Sequence, residues 1–238
     1  MTYVMSDLHG MYEKYIQMLD VIGFSDEDTL IINGDICDRG PRAAEIYLDV
    51  MNRDNVTVIK GNHEVMAEID LERLYEEFRG YSIEVMYLIG RRDLWTWFNN
   101  GGDRTVKSIS YETEEDRYRI LDFIKSLPLY KIITVCDKRY VIVHGGLGNF
   151  TEGMTVEDVP PHDLLWTRPN FDDSYMDDGN TYLIVGHTPT LTISREGGRA
   201  KIYHGKGNVI AIDCGAVFED RGGRLGCLCI DTGEEFYV

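Results

Sequence analysis

Short runs of β-branched and apolar residues recur along this chain, and most of them stop abruptly at a glycine flanked by acidic, amide or imidazole side chains. Residues 2–5, 29–32 and 56–59 are such runs, each too short for a helix and rich enough in Val, Ile and Leu to be a buried strand. Between them the spacing changes. In residues 11–22 Tyr15, Met18, Leu19 and Ile22 fall on one face of a helix, and a second helix is predicted over 43–51 behind Pro41. The alternation of strand and helix predicts an α/β sheet with helices packed against it.

The middle of the chain reads differently. Residues 65–127 are rich in Glu, Arg, Tyr and Leu and are predicted to be mostly helical. Breaks are expected at Gly80, at Gly90 and at Asn99-Asn100-Gly101-Gly102. This is a helical insertion on the sheet, not a separate domain. Strands resume at 130–135 and 140–143, a loop-rich stretch covers 153–180, and further strands are expected at 182–185, 201–203, 209–212 and 225–230.

Five of the strand ends carry metal-capable side chains: Asp7 with His9, Asp35 with Asp38, Asn62 with His63, then His144, then His187. Strand ends that meet at one edge of a sheet are where α/β proteins place ligands. Carboxylate and amide oxygens with imidazole nitrogens suit hard and borderline divalent cations. Asp7, His9, Asp35, Asn62, His144 and His187 exceed the ligand set of one catalytic metal with an open position. Two metals about 3.5–4 Å apart, bridged by one carboxylate, would use them all, and Asp35, between the others in chain order, is the expected bridge. His162 and His204 follow no strand in this pattern and are read as structural.

Composition narrows the partners. Asp and Glu number 41 against 24 Lys and Arg, for a net charge of −17. With the acidity spread along the chain and no basic stripe, nucleic-acid binding is not expected. The five cysteines are odd in number and have no CxxC spacing, which predicts reduced thiols in a cytoplasmic protein. The N-terminus lacks the pattern of a signal peptide, and no apolar run is long enough to span a membrane. One domain over 1–238 is expected from the length.

The blocks Asp7-Leu8-His9-Gly10, Gly34-Asp35-Ile36-Cys37-Asp38-Arg39-Gly40, Gly61-Asn62-His63-Glu64, Val143-His144-Gly145-Gly146 and Gly186-His187-Thr188 resemble, in order, the signatures of metallophosphoesterases. More narrowly they resemble the phosphoprotein phosphatase family, which includes Ser/Thr phosphatases and bacterial symmetrical dinucleoside tetraphosphatases. The resemblance implies a calcineurin-like fold of two facing β-sheets flanked by helices. It also implies that Asp7, His9 and Asp35 hold one metal and that Asp35, Asn62, His144 and His187 hold the other. His63 would be the general acid, oriented by Asp38, with Arg39 gripping phosphate oxygens. Leu164-Leu165-Trp166-Thr167-Arg168-Pro169 resembles the segment that supplies a second phosphate-binding arginine, Arg168.

Departures from the pattern are few. Ser6 stands where the first block usually begins with glycine, no counterpart of the eukaryotic active-site tyrosine is found, and Arg42 replaces an expected acidic residue and is read as facing solvent. Cys37 lies inside a motif but is read as a packing residue. The implied activity is metal-dependent hydrolysis of phosphate monoesters by a metal-bridging hydroxide, of the Ser/Thr phosphoprotein phosphatase type. The expected cofactors are two divalent ions, manganese first, with iron or zinc as alternatives. A phosphorylated protein or a small phosphate ester is the expected substrate. Dinucleoside tetraphosphate hydrolysis at the same site is the alternative. A metal-dependent nuclease and a non-catalytic metal-binding module are further readings, disfavoured by the acidic surface and by the presence of Asp38, His63, Arg39 and Arg168. The aromatics of residues 94–102, Trp95, Trp97 and Phe98, read first as core and second as a platform for a base.

Overall fold

The structure, a computed structural model, describes residues 1–77, 85, 88, 94–176, 178–193 and 198–238. Two five-stranded mixed sheets form its centre. In the first, β1 (Thr2–Met5), β2 (Thr29–Asn33) and β3 (Val56–Ile59) run parallel, and β9 (Gly226–Cys229) and β10 (Glu235–Tyr237) continue antiparallel beyond β1. In the second, β5 (Lys138–Val143), β6 (Thr181–Val185) and β8 (Val209–Ala211) run parallel, flanked by antiparallel β4 (Tyr130–Val135) and β7 (Tyr203–His204).

Side-chain alternation along the strands explains why they read as unbroken apolar runs. Val4, Ile31 and Ile59 of the first sheet pack with Ile142, Ile184 and Ile210 of the second, making the core between the sheets. Their neighbours Tyr3, Met5, Leu30, Ile32 and Val58 point the other way, onto helices. These include α1 (Tyr12–Ile22), α2 (Ala43–Val50), α3 (Asn62–Glu77), α4 (Trp95–Asn99), α5 (Gly102–Ser110) and α6 (Glu114–Ser126). Val141, Val143, Leu183 and Val185 face away from the first sheet toward Leu147, Val156, Val159 and Leu164, the last on α7 (Pro161–Trp166). A strand covered on both faces has no polar side to display.

The expected elements are present, with differences at the margins. The helical insertion starts earlier than residue 65, because α3 follows β3 directly and takes Asn62 and His63 into its first turn. The break at Asn99-Asn100-Gly101-Gly102 separates α4 from α5, whereas the breaks expected at Gly80 and Gly90 lie outside the described residues. The loop at 153–180 contains α7. Short α8 (Thr190–Ile193) and strand β10 were not anticipated, since neither is long enough to show a period. β4 and β5 form a hairpin closed by Cys136 and Asp137, both at positive φ (49° and 61°), the twist that two-residue hairpin turns favour. No helix among the described residues is long and apolar enough to cross a membrane.

The two sheets are joined at the ends of their parallel strands. The Asn33 side chain donates to Val143 O (2.8 Å), and the Asn33 carbonyl lies 2.9 Å from His144 Nδ1. Gly34 follows at φ 80°, and a Cβ there would fall 2.6 Å from His144 Nδ1 and 2.7 Å from Gly61 Cα. Gly34→Ala is therefore expected to destabilise the protein by at least about 2 kcal/mol. Urea titration checks this, and an unchanged midpoint would show that the strand ends can separate freely.

Candidate active site

Parallel strands of both sheets release their chains at the same edge. β1 leads to Asp7 and His9, β2 to Asp35, Asp38 and Arg39, β3 to Asn62 and His63, β5 to His144, and β6 to His187. β8 leads to Asp213, a sixth strand end, in a block (residues 212–218) that resembles the bacterial family members but that was read as the start of a loop and not as part of the site. The signal was available: an apolar run followed by Asp, Cys and Gly has the same form as the other five.

Turning so sharply after a strand requires unusual backbone angles. Of nine non-glycine residues at positive φ among the described residues, six belong here: Asp7, His9, Asp35, Asp38, Arg39 and His187, at φ between 44° and 70°. Each such conformation costs on the order of 1–3 kcal/mol and persists only where surrounding contacts impose it. At Asp35 that imposition comes from Glu64. Its buried carboxylate accepts from Asp35 N (2.7 Å), Ile36 N (2.8 Å), Gly61 N (2.8 Å) and Tyr47 OH (2.9 Å). One side chain on α3 thus ties the β2 and β3 turns together.

Asp35 lies at the centre. His9, Asp35 and His63 offer ligand atoms within 4.8 Å of one another, and so do Asp35, His144 and His187. The first group holds His63 where the sequence resemblance placed Asp7. Asp7 lies alongside, its carboxylate accepting from Ser6 Oγ and from His187 N (3.1 Å). Asn62 Oδ1 is 3.0 Å from His144 Nε2 and 2.9 Å from His187 Nδ1. The opposite nitrogens of two histidines face backbone carbonyls: His9 Nδ1 is 2.8 Å from Cys37 O, and His144 Nδ1 is 2.9 Å from Asn33 O. Donation there leaves each Nε2 with a lone pair directed at carboxylate or amide oxygens, 3.3 Å from Asp35 Oδ1 for His144 and 3.7 Å from Asp35 Oδ2 for His9. Acceptors converging on acceptors, with the far N–H held by a carbonyl, form the donor set of a divalent cation. These residues fit such ions.

The electrostatics agree for His9 and His187, whereas His144 holds a proton on Nε2 that a bound cation would displace. Burial and the Arg39 charge push His9 down, and burial with His144 takes His187 to about 3, so both are neutral imidazoles at pH 7. Burial opposes charge on His144, but Asp35 outweighs it and raises His144 to about 10. Burial would raise Asp35, yet His144, His63 and His9 hold it well below the usual carboxylate range. Asp7 is raised by burial, by Asp213 and by Asp35, and Asp213 is raised to about 6 by burial, with Asp35 adding to it. Three buried carboxylates so close together repel unless cations accompany them.

The remaining expected residues fall around this centre. His63 Nδ1 is 2.6 Å from Asp38 Oδ2, and His63 Nε2 is 2.9 Å from an Arg39 guanidinium nitrogen. Arg39 also reaches His9 Nε2. Arg168 is exposed, near enough for its charge to act on His187. Cys37 is buried and its thiol is raised well above its ordinary value by desolvation, as suits packing. Arg42 is held at the surface by Glu13 and Glu45 (2.5 and 2.8 Å) and over the Tyr12 ring. His162 contacts Asp163 and stacks on Trp166, whose ring stands edge-on to His187, and His204 pairs with Glu235. The LWTWFNNGG aromatics divide: Trp95 is 66% exposed, while Trp97 is buried and donates to Asp38.

The calcineurin-like phosphoesterase family matches residues 2–219. The chain belongs to this family. It is a metal-dependent phosphatase, and the two facing sheets with their shared edge are the metallophosphoesterase fold. The Bacillus velezensis bis(5'-nucleosyl)-tetraphosphatase PrpE is 24% identical, over 90% of this chain and 84% of its own. It is named as the asymmetrical enzyme, where the sequence blocks suggested the symmetrical type. A Caenorhabditis elegans protein described as a serine/threonine-protein phosphatase is 26% identical over 70% of this chain and 41% of its own. A crystal structure described as that of a diadenosine tetraphosphatase superimposes with a TM-score of 0.64 at 14% identity, covering 100% of this chain and 92% of the other. At that identity the likeness is one of fold.

Glu64→Gln in this metallophosphoesterase would place an NH₂ group among backbone donors. The expected loss is about 2–3 kcal/mol of stability, together with weaker Mn²⁺ binding by calorimetry. Unchanged values for both would remove Glu64 as the tie between the turns.

Proposed function

We propose that this metallophosphoesterase hydrolyses phosphate monoesters, including phosphoserine and phosphothreonine in proteins. The observation that carries the reading is the Asp38–His63–Arg39 arrangement, in which an imidazole is held from behind by a carboxylate and flanked in front by a guanidinium. Asp7, His9 and Asp35 would hold one divalent ion, and Asp35, Asn62, His144 and His187 the other, with manganese the first choice and iron or zinc as alternatives. Bound there, such ions supply Lewis-acid activation of water and neutralise phosphoryl charge.

The residues then divide the work. Arg39 and Arg168 grip phosphoryl oxygens, for which a planar guanidinium offers two parallel donors. Asp38 accepts the Nδ1–H of His63 and fixes the ring, so that Nε2 faces the departing oxygen. Burial opposes charge on His63, but Asp35 and Asp38 prevail and raise its pKa, favouring the protonated form that can donate. Protonating the leaving alkoxide contributes about a hundredfold to ten-thousandfold to such reactions. The chain acts as one domain over 1–238 in the cytoplasm, where its free cysteines stay reduced.

A second reading is dinucleoside tetraphosphate hydrolysis. Trp166, 36% exposed, stands edge-on to His187 at 6.3 Å and two residues before Arg168, a position from which it can stack on a base. The similarity to the tetraphosphatase PrpE points the same way.

His63→Asn is expected to lower kcat strongly for a phosphoserine peptide and much less for p-nitrophenyl phosphate, whose leaving group needs little protonation. Equal losses on both substrates would remove His63 as the acid. The substrate reading is tested by kcat/KM for a phosphoserine peptide and for diadenosine tetraphosphate under one metal and one pH. The peptide is expected to lead; a preference of about a hundredfold for the dinucleotide, or about 2.7 kcal/mol, would install the second reading instead.

A further inference from the structure

Asp38 has no exposure to water, sits at φ 70°, and carries more hydrogen bonds than its partnership with His63 requires. Trp97 Nε1 lies 3.0 and 2.9 Å from its two carboxylate oxygens. Thr105 Oγ1 donates to Oδ1 (2.5 Å) and accepts from Asp38 N (2.8 Å), holding backbone and side chain of the same residue. Both partners belong to the helical insertion: Trp97 to α4 and Thr105 to α5, and both are buried. The turn between these helices meets the next residue of the motif. Arg39 N donates to Gly101 O (3.1 Å), and a Cβ on Gly101, at φ 98°, would fall 2.5 Å from Arg39 N.

We propose that Trp97 and Thr105 are positioning residues for the acid step, acting through Asp38, so that the helical insertion is a working part of the reaction centre as well as a wall around it. The chemistry favours this over a packing role alone. A buried carboxylate without donors would rotate or take up a proton. An indole N–H shared by both oxygens and a hydroxyl on one of them leave Oδ2 facing His63 Nδ1 in one orientation. Neither donor can reach substrate itself, since Trp97 is only 1% exposed and Thr105 is fully buried. Trp97 is thereby removed from the residues that could stack on a base.

The inference rests on the reading of His63 as proton donor, and the experiment separates the two. Trp97→Phe removes the N–H and keeps most of the ring. Its kcat on a phosphoserine peptide is expected to fall about tenfold to a hundredfold, with KM unchanged, while kcat on p-nitrophenyl phosphate falls less than about threefold. Thr105→Val should behave in the same way, and Thr105→Ser should restore most of the activity. In an Asp38→Asn background, Trp97→Phe should change kcat less than about twofold, because its route of action is already broken. Equal losses on the two substrates, a raised KM alone, or a full additional loss in the Asp38→Asn background would overturn the inference. So would a Trp97→Phe protein that fails to fold if Thr105→Ser is then no better than Thr105→Val. His63→Asn measured alongside assigns the failure. If it shows the leaving-group dependence and Trp97→Phe does not, this inference alone falls; if it shows none, the acid reading falls and takes this inference with it.

Discussion

Asp35 is a carboxylate almost entirely withdrawn from water, placed where two sheets meet. An isolated charge in such a position would be prohibitive, and much of the architecture serves to make it tolerable. Imidazoles from both sheets surround it: His9 and His63 from the side of the first sheet, His144 and His187 from the second. His63 N also donates to its Oδ1 at 3.1 Å. The sheets cannot slide apart without stripping this carboxylate of half its partners. The arrangement that could hold divalent ions is thus also one that registers the two halves of the fold.

The strain at the strand ends belongs to the same account. Six site residues adopt left-handed backbone conformations, and they are held there by groups whose own positions are fixed elsewhere. Glu64 acts on Asp35 from the first turn of α3, and Thr105 and Gly101 act on Asp38 and Arg39 from the insertion. Ligand geometry set by backbone turns on rigid strands is more reproducible than geometry set by long side chains. That is one physical reason for chemistry at this edge to be carried by short residues such as Asp and Asn and by the two-torsion histidine.

Much of this was legible in the order of the residues. A strand followed by glycine and a metal-capable side chain is a local event, and a local event leaves a local pattern; Asp7, His9, Asp35, Asn62, His144 and His187 were singled out as candidates on that basis. The fold followed because alternating apolar strands and amphipathic helices have few ways to bury both faces. Asp213 was missed although its block has the same form, because an aspartate before Cys-Gly was read as a loop. β10 was missed because three residues at an edge carry no measurable period.

By itself, then, the sequence determined which residues are candidates to bind metal, which elements deliver them, and the family to which the chain belongs, since each of these depends on spacing over a few neighbours. Only the tertiary structure decided that Glu64 is the tie beneath two turns, that Asn33 joins the sheets, and that Trp97 faces Asp38 and not a ligand. It also decided that Asp7 rests against Ser6 and the His187 amide, with His63 closer to His9 and Asp35. Glu64 and Ile36, Asn33 and Val143, Trp97 and Asp38, and Asp7 and the His187 amide lie from 28 to 180 residues apart along the chain. Contacts at such separations are set by how whole layers pack, and packing leaves no trace in the spacing of adjacent residues.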